Sequence, residues 1–394
     1  MGRLRIGIVL VSVGVWLILV PHVSSAASRI TAPASSWLAG WPMAGHDPQR
    51  TYRSPETAPT DPHLLLTRKN LGVRIIGPNG RLYGYAGSGR HALPAAFSAR
   101  GRVLLTYRAN VPPVVVRPDG VMIAMGPDDS TAIAYAATGR RIWKQTNIGL
   151  PKSADALVTA DNTFYAAFEG HSEDGSAGLD VFSPAGRRTR IEPGTSVMAV
   201  ALAPDGQLYS RIFDGGTGES WLQAIGSDGR VQWAQALGTG IEEFPAKDNL
   251  IPTDNAVYVT AGDQLRAYSP SGTLLWQMTK ADRPLVLALR ADGVLVTAGD
   301  KTLDAITPLG TTLWSTGIGI SRTSQYAPTL VVDAAGTEWV GRQDGTVQIV
   351  SSSGATLGTL VAGGYHYGLS PTVLLASGRI VVNGTDGTLR IYGS

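Results

Sequence analysis

The stretch from Asn255 to Trp276 reads NAVYVTAGDQLRAYSPSGTLLW, and its pattern recurs along most of the chain. It contains a turn, a run of β-branched and aromatic residues, a short polar turn, a second run at Leu265 to Tyr268, a Ser-Pro-Ser-Gly turn and a third run that ends in Trp276. Such runs, bounded by turn residues, predict a meander of short antiparallel strands. Most of the protein is therefore expected to consist of copies of one β unit.

The first turn of this unit occurs eight times, and each copy ends in Gly or Asn, the residue types that tolerate the positive φ of hairpin turns. The eight last residues are Gly80, Gly120, Asn162, Gly206, Asn255, Gly293, Gly336 and Gly378. Their spacings of 40, 42, 44, 49, 38, 43 and 42 residues indicate a repeat that supplies one β-sheet per copy.

A second turn occurs only seven times, at Gly101, Gly139, Gly186, Gly229, Gly272, Gly310 and Gly354. Its eighth copy would lie two residues beyond Ser394, so the last unit is missing its final strand. An apolar run from Leu64 to Arg68 precedes the first complete unit and can supply that strand. The pattern predicts an all-β fold: an eight-bladed β-propeller of four-stranded antiparallel blades, closed by an N-terminal strand that completes the last blade.

The segment before the propeller predicts an exported protein. Arg3 and Arg5 precede an apolar run from Ile6 to Val20, and small residues at Ser24 and Ala26 fit a cleavage site. An uncleaved anchor is the alternative. The predicted organisation is a signal peptide at 1–26, a flexible linker at 27–40, an ordered N-terminal leader at 41–63 and the propeller at 64–394. The expected location is secreted or periplasmic.

Composition excludes several classes of chemistry. The chain has no cysteine, which removes disulfides, thiol catalysis and Cys-ligated metals. It has 33 basic and 30 acidic side chains, and loss of residues 1–26 would leave 31 basic ones. This near balance gives no reason to expect binding to nucleic acid.

Four of the seven second turns are followed, four residues after the glycine, by a tryptophan: Trp143, Trp233, Trp276 and Trp314. At a fixed place in the repeat, such a tryptophan is expected to pack in the gap between neighbouring blades. A platform for stacking sugars is the alternative.

The unit resembles the pyrroloquinoline-quinone repeat of quinoprotein alcohol dehydrogenase-like β-propellers, in a bacterial secreted form. The closest copy is Ala134 to Trp143, AYAATGRRIW. The resemblance implies the propeller fold over residues 41–394. Members of the family include dehydrogenases, assembly scaffolds of the outer membrane and sensor modules, so activity does not follow from it.

The resemblance also implies what a catalytic member needs. Quinone-dependent members have longer chains, a Ca²⁺ held by carboxylate and Asn, a catalytic Asp and often a vicinal disulfide. This chain has no cysteine, and no Ca²⁺ ligand set can be placed on it. We therefore expect no catalytic residue, no metal ligand and no cofactor, with pyrroloquinoline quinone and Ca²⁺ as the less favoured alternative.

Propellers usually bind ligands on the face formed by the loops that enter the innermost strands and those that join the second and third strands. Several of these loops carry charged or aromatic residues. The candidate binding residues are Asp128, Asp129, His171, Glu242, Glu243, Arg322, Tyr326, Tyr365, His366 and Tyr367. Solvated loop decoration is the alternative interpretation.

The function expected from these features is that of an exported, non-catalytic scaffold, which binds a protein or envelope partner through its loop face as a monomer. The alternative is a small quinone- or metal-dependent oxidoreductase.

The second turns have an uneven distribution of charge. The first four carry arginines, whereas the next three carry none. These arginines are Arg100, Arg102, Arg140, Arg141, Arg187, Arg188, Arg190 and Arg230. They are expected to be either solvated surface, partly neutralised by Asp119, Asp161 and Asp205, or an arc that contacts anionic envelope lipid or polymer.

Overall fold

Antiparallel β-sheets account for the regular structure of this computed structural model. It describes residues 40–87, 92–107, 111–126, 131–148, 155–168, 178–191, 196–239, 249–319, 327–363 and 371–394. Within these residues the strands form eight four-stranded sheets, which confirms the eight-bladed propeller.

The first strand along the chain is β1 (His63–Lys69). Blade 1 contains β2 (Leu71–Ile76), β3 (Leu82–Ala86), β4 (Leu93–Phe97) and β5 (Val103–Thr106). Blade 2 contains β6 (Pro113–Val116), β7 (Met122–Gly126), β8 (Thr131–Tyr135) and β9 (Arg141–Gln145). Blade 3 contains β10 (Asp155–Val158), β11 (Phe164–Phe168), β12 (Gly178–Phe182) and β13 (Arg188–Arg190). Blade 4 contains β14 (Ser196–Leu202), β15 (Leu208–Asp214), β16 (Glu219–Ile225) and β17 (Val231–Thr239).

Blade 5 contains β18 (Leu250–Pro252), β19 (Val257–Ala261), β20 (Gln264–Tyr268) and β21 (Leu274–Thr279). Blade 6 contains β22 (Val286–Leu289), β23 (Leu295–Ala298), β24 (Thr302–Ile306) and β25 (Thr312–Gly317). Blade 7 contains β26 (Thr329–Val332), β27 (Glu338–Gly341), β28 (Thr346–Val350) and β29 (Thr356–Val361). Blade 8 contains β30 (Thr372–Ala376), β31 (Arg379–Asn383), β32 (Thr388–Gly393) and the N-terminal β1.

The ring closes through pairing of β1 with β32. The two strands are antiparallel, with His63 opposite Gly393 and Lys69 opposite Thr388. The strand that completes the last blade is thus the one expected from the sequence, longer by one residue at each end than the predicted run. Pairing of the two ends of the chain covers the edge that β32 would otherwise expose.

Burial differs between the inner and outer strands of a blade because neighbouring blades cover both faces of the inner strands. In blade 5, β19 is buried at every position, whereas β21 alternates between exposed and partly buried residues. The core lies between the blades: Val286 and Leu303 of blade 6, for example, belong to one apolar cluster with Val332 and Val340 of blade 7. This explains why inner strands read as continuous apolar runs.

The first turns of all eight blades and the second turns of blades 1 to 7 lie on one face of the ring, which we call the turn face. The opposite face, called the loop face, carries the connections between second and third strands and between successive blades. The expected positive φ occurs at the end of the first turns, as at Gly206 (87°), but not at Asn255. The first turn of blade 5 is one residue shorter than that of blade 4. In blade 5 the amide of Thr253 donates to the carbonyl of Ala256, whereas in blade 4 the amide of Ala203 donates to the carbonyl of Gln207.

Each tryptophan of the repeat contacts the second turn of the next blade. The indole nitrogen of Trp276 donates to the carbonyl of Pro308 at 2.8 Å. A Cβ built on Gly310 of the same turn would lie 2.8 Å from the indole, and the φ of this glycine is +82°. Glycine is therefore required at this position both by the backbone conformation and by the close approach of the ring.

The same contact recurs around the ring with small variations. Trp233 donates to Pro270 at 2.9 Å, and Trp314 donates to Ser352 at 2.9 Å. Trp143 packs against Gly186 and stacks on Phe182 with ring centroids 5.9 Å apart. Trp233, Trp276 and Trp314 are only partly buried, so each contributes less than full burial of an indole would.

We predict that Trp276→Ala lowers the free energy of unfolding by about 2 to 4 kcal/mol, because it removes apolar contact and a hydrogen bond between blades 5 and 6. Chemical denaturation of the purified protein measures this value. The matched control is Leu275→Ala, the preceding residue of β21, whose side chain is 51% exposed. The control is expected to change the value by less than about 1 kcal/mol. Equal losses in the two variants would contradict the packing role.

Candidate binding site in the central channel

The leader, residues 41–62, crosses the turn-face end of the central channel. Trp41 forms an isolated antiparallel bridge with Ile76 of blade 1, and Met43 forms another with Val115 of blade 2. Carbonyl groups of the leader then accept hydrogen bonds from further inner strands and first turns. The backbone amides donate to leader carbonyls at 2.8 to 3.0 Å in four pairs: Leu202 to Pro48, Leu289 to Thr51, Val332 to Tyr52 and Ala334 to Glu56. The leader therefore ties together blades on opposite sides of the ring.

Buried side chains hold the leader in place. Arg50 is 1% exposed and donates from Nε to the carbonyl of Val200 at 2.7 Å and from Nη2 to that of Ala156 at 3.2 Å. The carboxylate of Asp47 accepts the amide of Thr51 at 2.9 Å. His46, which is 2% exposed, packs edge-on against Trp41 with ring centroids 4.8 Å apart. These contacts hold the leader across the channel at this end.

The backbone of the leader is strained. His46, Arg50 and Tyr52 have φ values of 74°, 58° and 53°, which L-residues with side chains rarely adopt. Each such residue costs on the order of 1 to 3 kcal/mol and persists only where surrounding contacts determine the conformation. The surrounding contacts here are those of the innermost strands.

A cavity of about 360 Å³ lies on the loop-face side of the leader. Its floor is formed by Trp41, Ala44, Gly45 and Tyr52, and its walls by innermost strands. Arg74 of β2 is the charged side chain among these described lining residues, and its guanidinium lies 5.5 Å from the centre of the Tyr85 ring. An apolar cavity with one cationic group can hold an apolar ligand or side chain that carries a negative charge.

The candidate residues predicted from the sequence lie outside the described residues. This holds for Asp128, Asp129, His171, Glu242, Glu243, Arg322, Tyr326, Tyr365, His366 and Tyr367. Within the described ranges, no group of three or more His, Cys, Asp or Glu side chains is placed to hold a metal ion. In the same ranges, no helix is long and apolar enough to cross a membrane.

The described turns of the loop face in blades 4 to 8 each carry an aspartate, with cations such as Lys301, Arg342 and Arg390 beside three of them. Turns between second and third strands carry Asp214, Asp263, Asp300, Asp344 and Asp386. Asp344 forms an ion pair with Arg342, and Asp386 forms one with Arg390. Burial, and after it the neighbouring carboxylate of Asp282, raises the pKa of Asp300. This half of the loop face thus combines paired and unpaired carboxylates.

A buried carboxyl lies at the turn-face end of blade 7, beside blade 6. Glu338 is fully buried, and among the described residues its carboxylate oxygens accept no hydrogen bond from another residue. The nearest cation is Arg290, with 3.8 Å between Nη1 and Oε1. The leader contacts the same region, since Arg53 donates to the carbonyl of Arg290 at 3.1 Å. Burial raises the pKa of Glu338 from its ordinary 4.5 to about 8, although Arg290 acts to lower it.

The sequence model of a family described as "Outer membrane protein assembly factor BamB" matches residues 128–389, more than half of the chain. The chain belongs to this family. The match agrees with the pyrroloquinoline-quinone repeat inferred from the sequence. Comparison with curated protein sequences gives no significant match.

Solved structures show the same fold at low sequence identity. BamB from Moraxella catarrhalis is 15% identical, with a TM-score of 0.59, and the match covers 85% of this chain and all of that one. The quinohemoprotein alcohol dehydrogenase from Comamonas testosteroni is 12% identical, with a TM-score of 0.61, and the match covers 94% of this chain and 84% of that one. At these identities the likeness concerns the fold alone.

Sequence reasoning missed two parts of the site. It expected the leader to be ordered, but it did not place it across the channel. It also passed over Arg74, although the signal was present: Arg74 is the charged residue of the otherwise apolar strand Leu71–Ile76. A lone cation on an innermost strand of a propeller can only face a neighbouring blade or the channel.

We predict that Glu338→Gln stabilises the protein at alkaline pH. The folded protein keeps the Glu338 proton up to about pH 8, whereas the unfolded chain releases it near 4.5. The contribution of this group to stability is therefore complete below pH 4.5 and is lost as the pH rises through about 8. Glutamine stays neutral at every pH. The free energy of unfolding of the variant should therefore exceed that of the wild type by on the order of 2 kcal/mol at about pH 9 and differ little from it at about pH 5.

Denaturant titrations at both pH values measure this effect. The matched control is Asp254→Asn, an exposed carboxylate in the first turn of blade 5, which should leave the pH dependence unchanged. If Glu338→Gln shifts stability by the same amount at both pH values, Glu338 does not carry the proton.

Proposed function

We propose that this protein is an exported, non-catalytic propeller that binds a protein partner in the cell envelope through its loop face. The leader is the observation that carries the proposal. Because it crosses the turn-face end of the channel with buried side chains such as Trp41 and Arg50, it leaves the loop face as the side from which a partner would reach the cavity. A partner that covers the mouth of the channel would therefore bind the loop face.

The family supports a protein as the partner. The matching family model is described as an outer membrane protein assembly factor, a role defined by contact with other proteins. The aspartates in these turns that lack an arginine partner indicate the chemistry of the contact. A partner surface that carries Lys or Arg would complement Asp214, Asp263 and Asp300, and such complementarity raises specificity and association rate.

The competing candidate is a quinone- or metal-dependent oxidoreductase, which the fold of the quinohemoprotein dehydrogenase brings into consideration. Pyrroloquinoline quinone with Ca²⁺ requires carboxylate or amide oxygens around the metal ion. The described residues that line the cavity include no Asp, Glu, Asn or Gln. This donor set does not fit Ca²⁺, which favours the binding function.

Export is proposed from residues 1–26, with their basic start and apolar run. Intact-mass measurement of the protein from the envelope or culture medium tests this part. A mature chain that begins at Ala27 is expected, and a chain that retains residues 1–26 would indicate an anchor instead.

Site-specific photo-crosslinking in the native host tests the binding face. A photoreactive residue is placed at Asp263 or Lys301 on the loop face of blades 5 and 6. The matched controls are Ser271 and Leu309, in the second turns of the same blades. A discrete protein adduct is expected from the loop-face positions and none from the controls. Equal adducts from both faces, or none from either, would count against the proposal.

A separate measurement distinguishes the two functions. The purified protein is incubated with Ca²⁺ and pyrroloquinoline quinone, freed of unbound quinone, and its visible absorption and metal content are recorded. We expect neither bound quinone nor stoichiometric Ca²⁺. Retention of both, together with reduction of an artificial electron acceptor, would favour the oxidoreductase.

A further inference from the structure

The turn face carries its exposed arginines on one side of the ring. The second turns of blades 1, 2 and 3 contain Arg100, Arg102, Arg140, Arg141 and Arg187, all exposed. We call these five residues the arginine arc. The second turns of blades 5, 6 and 7 read SPSGT, TPLGT and SSSGA and contain no charge. Because blades 1 to 3 are neighbours, the arc forms one continuous surface.

The structure separates these arginines from others in the same part of the sequence. Arg188 and Arg190 turn inward and pair with the fully buried Asp180, at 2.7 and 2.9 Å. Arg230 lies 3.8 Å from Asp228. The sequence-based expectation of eight arginines on this surface is therefore wrong for Arg188 and Arg190, whose charge compensates a buried carboxylate.

The aspartates expected to neutralise the arc are engaged elsewhere. Asp119 pairs with Arg117 of its own turn. Asp161 accepts hydrogen bonds from Thr159 and Thr163, and Asp205 accepts one from the amide of Gln207. None of the three forms an ion pair with an arginine of the arc within the described structure. Five exposed cations thus face solvent near three exposed carboxylates, Asp119, Asp161 and Asp205, of which Asp119 is already paired with Arg117.

Aliphatic side chains accompany the arc. Val103 and Leu104 follow Arg102 on the outer strand β5, Ile142 follows Arg141 on β9, and the three are 45%, 40% and 41% exposed. Outer strands of blades 4 to 7 also expose aliphatic side chains, such as Leu275 and Leu357, but in blades 1 and 2 they lie beside the arginine arc. A soluble polyanion would pair with the arginines but would leave these side chains in water. A lipid surface offers both anionic headgroups and an apolar interior, which is the combination that basic and apolar surfaces bind.

We propose that the arginine arc docks the turn face of blades 1 to 3 on an anionic lipid surface. The arginines attract the headgroups, and Val103, Leu104 and Ile142 contact the region where headgroups meet acyl chains. The loop face then points away from the lipid and stays free for the protein partner. The docking is peripheral and weakens as salt screens the charges.

Co-sedimentation of the purified chain with phosphatidylglycerol and phosphatidylcholine vesicles tests the proposal. We expect binding to the anionic vesicles at low salt, release at high salt and no binding to vesicles of phosphatidylcholine alone. The double variant Arg140→Ser, Arg187→Ser should bind about 30-fold more weakly at low salt, since each basic residue near such a surface contributes a similar factor of several-fold.

The charge-matched control is the double variant Lys69→Ser, Lys301→Ser, which removes two exposed cations near the loop face. It should bind the vesicles as the wild type does. Failure of the wild type to bind at low salt, or equal weakening in the two double variants, would overturn the proposal. A soluble polyanion, dextran sulfate, provides the last comparison. If dextran sulfate, at the same concentration of negative charge, binds the protein as tightly as the anionic vesicles do, the ligand is an anionic polymer and not a lipid surface.

Discussion

The structure depends on the pairing of β1 with β32, which joins residues near both ends of the chain. A blade of this fold cannot bury both of its faces alone, because each face requires a neighbouring blade. Without β1, blade 8 would have three strands, and β32 would present an unpaired edge. The pairing completes that blade and brings blades 8 and 1 together. Every inter-blade contact, including those of the tryptophans, relies on this closed ring.

The leader extends the same N-terminal segment into the interior. Directly before β1, it crosses the channel and contacts the inner strands or first turns of blades 1, 2, 3, 4, 6, 7 and 8. The leader thus supplies hydrogen-bond partners to backbone groups at the ends of the inner strands, which would otherwise bind water. The positive φ values of His46, Arg50 and Tyr52 indicate that these contacts are strong enough to hold a strained backbone. This segment also lines the turn-face side of the cavity, through Trp41, Ala44, Gly45 and Tyr52.

The net charge of the chain does not reveal where individual charges lie on the two faces. The described turns of the loop face carry carboxylates in blades 4 to 8, and the turn face carries the arginine arc in blades 1 to 3. Net charge adds these contributions and hides them, whereas a partner meets only one face at a time. The two proposed contacts, a basic protein surface and an anionic lipid surface, therefore do not compete for the same residues.

The sequence by itself determined the fold, including the number of blades and the strand that closes the ring. Those features follow from local patterns: the turn chemistry of Gly206 or Gly310 and the spacing of apolar runs are visible without knowledge of distant contacts. The predicted loop residues, such as His171 and Tyr365, remain predictions because they lie outside the described residues. Only the tertiary structure decided where the leader lies, that Arg188 and Arg190 face Asp180, and that Glu338 is buried beside Arg290. The positions of Arg50 and Glu338 depend on residues that lie far away in the sequence. Arg50, for example, donates a hydrogen bond to the carbonyl of Val200. Burial and charge pairing arise only once the closed ring brings such residues together.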